Sequence, residues 1–188
     1  MKKKFLDPNL KNKSKTVEDK IQLFMFNGKN LPLPTEIEIS ESGTCNRSCS
    51  FCPRSASTFE DKKEFISNEL HEKLCRELKE LDYKGTIRYS GFVEPMLDKN
   101  IFNLIHMVRN YLPQSNIEMV TNGDPLNLKR LKKLFESGLN KILISAYDGK
   151  EESEKLEDLC ISANLNEEQY IVRHRYYSED QDFGITLS

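Results

Sequence analysis

Hydrophobic and polar residues along this chain follow two periods that take turns. Over 35–39, Glu36, Ile37, Glu38 and Ile39 alternate with the period of two expected of a half-buried strand. Short apolar runs at 86–90, 117–121, 141–145 and 169–175 predict four more strands. Between them, apolar residues return every three or four positions. Residues 67–81 read as a helix with Leu70, Leu74, Leu78 and Leu81 as its buried stripe, Ser67 as its cap and Gly85 as its stop. Residues 101–111 carry Leu104, Ile105 and Val108 on one face and stop before Pro113; residues 127–137 carry Leu128, Leu131, Leu134 and Phe135; residues 151–163 form a charged helix. Such alternation of strand and helix predicts an α/β fold of parallel βαβ units with right-handed crossovers.

Residues 1–30 read as a polar lead-in, with 31–188 as the core domain. Ile21 to Phe26 is apolar but short, and Leu31-Pro32-Leu33-Pro34 is an extended approach, because each proline drives its predecessor out of helical geometry. The first four strands each run into a polar or glycine-bearing turn, at 45–53, 90–95, 121–125 and 145–149. Ligands of parallel α/β folds sit beyond the carboxyl ends of the strands, so these turns are expected to line one mouth.

Composition adds limits. A chain of 188 residues fits a single domain, and 31% charged against 37% hydrophobic residues is wet but leaves enough for a core. A net charge of -2 provides no global field toward nucleic acid or an anionic membrane. No apolar run is long enough for a signal peptide or a membrane span, so the expected location is the cytoplasm. There thiols stay reduced. Three of the five cysteines fall within eight residues, a distribution that suits a metal site better than disulfides.

The run Thr44-Cys45-Asn46-Arg47-Ser48-Cys49-Ser50-Phe51-Cys52-Pro53 spaces its thiols as C-x3-C-x2-C. Thiolates are soft ligands that suit iron–sulfur centres, and three ligands leave one iron of a cubane open. A zinc site completed by His71, His106, His174 or another cysteine is the alternative metal reading. Cys75 and Cys160 fall within helices and read as ordinary buried small residues.

With its aromatic residue before the third cysteine, this run resembles the defining motif of the radical S-adenosylmethionine (SAM) superfamily. The resemblance implies a 4Fe-4S cluster on Cys45, Cys49 and Cys52 whose open iron chelates SAM, and one-electron cleavage of SAM to a 5′-deoxyadenosyl radical that abstracts hydrogen. It implies a (β/α)6 barrel, TIM-like, with outer helices, and places Phe51 beside the adenine. The turn Ser90-Gly91-Phe92-Val93-Glu94-Pro95 is similar to the family's glycine-rich turn ending in Glu-Pro. Ser90, Gly91 and Glu94 would there receive the SAM amino group, with Val93 standing where a second glycine is frequent. Thr121-Asn122-Gly123 resembles the family's Thr-Asn-Gly turn, and Ser145-Ala146-Tyr147-Asp148-Gly149 its ribose-contacting strand end. Ser145 has two readings, a contact to the ribose or carboxylate of SAM and, with Asp148, a cap for the next helix. Arg173, sharing a strand face with Arg175, either binds the SAM carboxylate or lies at a basic, solvated strand end.

These turns look most like members whose barrel precedes a SPASM-type domain. About five strands precede Asp182 to Ser188, so the barrel is expected to be incomplete, either because the sequence is a fragment or because a partner covers the open edge. The expected partners are a small-molecule or peptide substrate and a flavodoxin- or ferredoxin-type electron donor. The rival readings are a non-catalytic zinc- or cluster-binding domain and a degenerate fragment without turnover.

Overall fold

A computed structural model describes residues 21–176. Most of the polar lead-in and the tail Asp182 to Ser188 lie outside the described residues. The first described elements are two short strands, β1 (Leu23–Phe26) and β2 (Lys29–Pro32), paired antiparallel. Asn27 and Gly28 both take positive φ, 49° and 74°, as a two-residue hairpin turn requires. This hairpin occupies part of what the sequence pattern assigns to lead-in and approach. Leu23 to Phe26 is apolar without alternation, so only the Asn-Gly pair carried the signal. Gln22 anchors the hairpin, donating to Asp82 O at 2.5 Å and accepting from Lys84 N at 3.0 Å.

The rest alternates strictly: β3 (Glu36–Ile39), α1 (Asn68–Glu80), β4 (Thr86–Tyr89), α2 (Ile101–Tyr111), β5 (Asn116–Thr121), α3 (Leu128–Glu136), β6 (Lys141–Ala146), α4 (Lys150–Ser162) and β7 (Tyr170–His174). The strands pair in chain order β3-β4-β5-β6-β7, all parallel. A sheet whose every crossover steps to the adjacent strand with one hand is that of a barrel opened along one side, with its helices outside.

The two faces of this sheet differ in chemistry. Ile87, Tyr89, Ile117, Met119, Ile142, Ile144 and Ala146 join Leu104, Ile105, Val108, Leu131, Leu134 and Leu156 in one core under the helices. The intervening positions face the other way, where Glu38, Arg88, Glu118 and Lys141 stand in register across four strands. Arg88 is 1% exposed and donates to Glu36 and Glu118, each at 2.6 Å. This inner face is therefore held by charge pairing, as a buried cation and its carboxylates demand.

Ser67 is the cap expected from the sequence, and Asn127 adds a second. Ser67 accepts from Leu70 N at 3.2 Å and Asn127 from Arg130 N at 2.9 Å. Two stripe positions are not buried as expected: Leu70 is 57% and Leu128 39% exposed. A spacing of four drifts by about 40° per step on a helix of 3.6 residues per turn. On α1 the buried line therefore runs through His71, Cys75 and Leu78, with Leu74 and Leu81 at its margin. Leu128 opens the first turn of α3, at the edge of the packed area. Burial keeps His71 uncharged, with a pKa lowered to about 4, and its Nε2 lies 2.9 Å from the Tyr89 hydroxyl.

Candidate active site

The segments that follow β3, β4, β5 and β6 converge on one cavity. Cys45, Cys49, Phe51, Cys52, Gly91, Glu94, Thr121, Asn122 and Ser145 line it, together with Arg47, Arg54, Phe92, Val93, Val120 and Tyr147. It encloses about 520 Å³ of empty space, part of it open to solvent. Two of the expected residues are set back. Ser90 is outside the lining, its carbonyl accepting from Ser40 Oγ at 2.9 Å. Arg173, buried and opposite Ser145 in the register, donates to Ser145 Oγ at 2.6 Å.

Glu94 is the knot of this end of the sheet. It is 1% exposed and accepts from Met96 N at 3.0 Å, Thr121 Oγ1 at 2.6 Å and Asn122 N at 2.7 Å, so it pins the second turn to the third. Burial raises its pKa, and the bonds from Asn122, Thr121 and Met96 oppose that shift. Its own backbone N–H donates to Thr44 O at 3.0 Å, tying the same turn to the start of the cysteine loop. Gly91 sits at φ 121°, a conformation that L side chains rarely adopt, so the turn requires glycine there.

The Asn122 side chain donates to Asn46 Oδ1 at 2.8 Å and approaches Cys45 Sγ at 3.8 Å, while Arg47 N donates to the same sulfur at 3.5 Å. Phe51, 47% exposed, and Tyr147 face each other with ring centroids 5.6 Å apart. The helix-capping reading of Ser145 and Asp148 does not hold. Gly149 is the N-cap of α4 and receives no side-chain bond; Glu152 instead accepts from Tyr147 N at 2.6 Å and Asp148 N at 2.7 Å.

The family model described as "Radical SAM superfamily" matches residues 39–177, which takes in all four turns. The chain belongs to the radical SAM superfamily. It is 34% identical over 113 residues to the S-adenosyl-L-methionine-dependent 2-deoxy-scyllo-inosamine dehydrogenase of Niallia circulans, a match that covers 60% of this chain and 45% of that protein. It is 30% identical over 119 residues to a probable GTP 3′,8-cyclase of Thermococcus kodakarensis, covering 63% and 36%. Among solved structures, BtrN in complex with AdoMet and 2-DOIA superposes with a TM-score of 0.65 at 29% identity, over 74% of this chain and 56% of that one. The AdoMet-bound anSMEcpe shares the fold, with a TM-score of 0.60 at 18% identity over 74% of this chain and 42% of that one. The chain thus spans about half the length, or less, of the relatives it matches.

The donor set of this radical SAM chain fits an iron–sulfur cluster. Cys45, Cys49 and Cys52 are half-buried thiols, none in a disulfide. Burial raises the pKa of Cys49, and nearby Arg47 opposes the shift. Among the described residues no three His, Cys, Asp or Glu side chains converge on a single ion. None of His71, His106, His174, Cys75 or Cys160 lines the cavity. Sequence reasoning missed Arg47 and Asn46, whose partners lie far along the chain, as well as Arg54, and Tyr147, which it quoted in a motif without a role.

Proposed function

We propose that this chain is the core of a radical SAM enzyme that binds a 4Fe-4S cluster on Cys45, Cys49 and Cys52, and SAM in the adjoining cavity. When bound, the cluster would supply the electron that cleaves SAM reductively to a 5′-deoxyadenosyl radical, which then abstracts hydrogen from a substrate. The observation that carries the reading is the arrangement of three disulfide-free thiols on one cavity with the second, third and fourth strand-end turns.

The chain's own residues would bind, orient and exclude water. Phe51 and Tyr147, in contact with each other, offer an aromatic surface suited to a purine face. Gly91 allows the backbone to approach a bound amino group, and Glu94 adds negative charge beside it. A cation there offsets the burial that raises the Glu94 pKa, so ligand binding would favour the ionised carboxylate. Ser145, held by Arg173, offers a hydroxyl toward a ribose or carboxylate, and Asn122 steadies the Cys45 sulfur.

A small-molecule substrate is the reading that the inosamine dehydrogenase and GTP cyclase relatives support. The reductant would be of flavodoxin or ferredoxin type. Among the described residues no helix is long and apolar enough to cross a membrane.

The test is reductive cleavage of SAM by anaerobically reconstituted protein, read as 5′-deoxyadenosine. The unaltered protein is expected to form it, and Cys49→Ala to form none. Iron-loaded protein that leaves SAM intact, or zinc in place of iron, would overturn the reading.

A further inference from the structure

Two arginines bracket the cysteine loop. Arg47 stands between Cys45 and Cys49, and Arg54 lies two residues beyond Cys52. The Arg47 side chain is 16% exposed and engages three carboxylates at once. Its Nε and Nη2 donate to the two oxygens of Asp124, the Nε bond being 2.7 Å. Its Nη1 and Nη2 donate to the two oxygens of Asp148, each at 2.9 Å, and Nη2 also reaches Glu152 Oε1 at 3.0 Å. The guanidinium lies 5.4 Å from the Tyr147 ring centroid. Arg54, 6% exposed, donates through Nη1 to Gly43 O at 3.1 Å and Phe92 O at 3.0 Å, through Nη2 to Asp61, and lies 4.8 Å over the Phe59 ring.

Exposed ion pairs contribute little, but this arrangement differs in two respects. The guanidinium groups are largely buried, and Arg47 is bidentate to two carboxylates, a fork geometry with little tolerance for displacement. Asp124 follows β5, Asp148 follows β6, and Phe92 belongs to the turn after β4. The loop is thereby referenced to three strand ends as well as to itself. Asn46 adds to this, donating to Asp124 Oδ2 at 2.6 Å.

We infer that Arg47 and Arg54 are positioning residues that order the cysteine loop at the cavity mouth before any cluster is present, Arg47 carrying the larger share. The inference rests on the proposed function only in naming a cluster as what the ordered loop receives.

Hydrogen exchange on the metal-free chain of 188 residues tests it. Arg47→Ala is expected to speed exchange over residues 44–56 on the order of tenfold, the scale of one charge-assisted bond, while β5 and β6 keep their protection. Arg47→Lys keeps the charge but not the fork and should restore only part. Asp148→Asn, altering a partner that is 67% exposed, should loosen the loop in the same direction without threatening the fold. Iron uptake on reconstitution should fall severalfold in Arg47→Ala although every cysteine is intact. Loop exchange at the unaltered rate, or exchange that rises equally across the sheet, would overturn the inference. Failure of the unaltered chain to take up iron would count instead against the proposed function and leave the exchange comparison standing.

Discussion

Glu41 is buried with little to offset its desolvation. It is 1% exposed, and among the described residues neither of its carboxylate oxygens, nor Ser42 Oγ nor Asp98 Oδ2, makes a well-formed hydrogen bond. Burial raises its pKa from an ordinary 4.5 to about 7; its own backbone N–H and the nearby Ser42 hydroxyl oppose the rise, and the charges of Asp98 and Glu94 add to it. The folded chain therefore holds a proton that the unfolded chain releases near its lower pKa. Stability from this group is unchanged below that value, falls as pH rises toward 7, and above 7 carries the full penalty of about 3 kcal/mol. Glu41→Gln removes the titration, so its stability relative to the parent should improve by about that amount between pH 4 and pH 8, as read from urea unfolding at both. Parallel pH profiles for the two proteins would refute this account of Glu41. The sequence carried no sign of it, because burial of a loop carboxylate depends on what packs over it. The same holds for Arg47, whose partners lie 77, 101 and 105 residues away. Cys45, Cys49 and Cys52 were legible because their spacing is local to one loop, whereas Gly91 and Asn122 were named only through the resemblance of their turns to the family's.

At the scale of elements, hydrophobic period located every strand and helix of the parallel sheet, and the cap Ser67 fixed one of the helix starts. Period did not fix which residues face inward. On α1 the buried line runs through Leu78 but leaves Leu70 outside, and the small Cys75 and neutral His71 complete it. Leu104 on α2 is 0% exposed, so Leu104→Ala should cost about 2 to 5 kcal/mol through lost burial and a cavity. Leu70→Ala, at a position 57% exposed, should stay within about 0.5 kcal/mol of the parent. Denaturant midpoints for the pair decide between this burial pattern and an all-leucine stripe, which would give the two substitutions equal cost. The β1–β2 hairpin escaped the pattern because its apolar residues do not alternate, and its register comes from the Asn27-Gly28 turn.

For the whole molecule, the order β3-β4-β5-β6-β7 brings the ends of β3 to β6 to one cavity, which gathers residues from Cys45 to Tyr147. Strand alternation forecast this shared mouth; the charged inner row of Glu38, Arg88, Glu118 and Lys141 was not foreseen, because it requires the register of four strands. The central claim is that three thiols hold a cluster with one iron left for SAM. Iron and sulfide counting on anaerobic protein, with electron paramagnetic resonance of the reduced form before and after SAM is added, tests it most directly. The account predicts about four irons and four sulfides per chain, and a spectrum that changes when SAM binds. Zinc without iron, or a cluster whose spectrum ignores SAM, would contradict it.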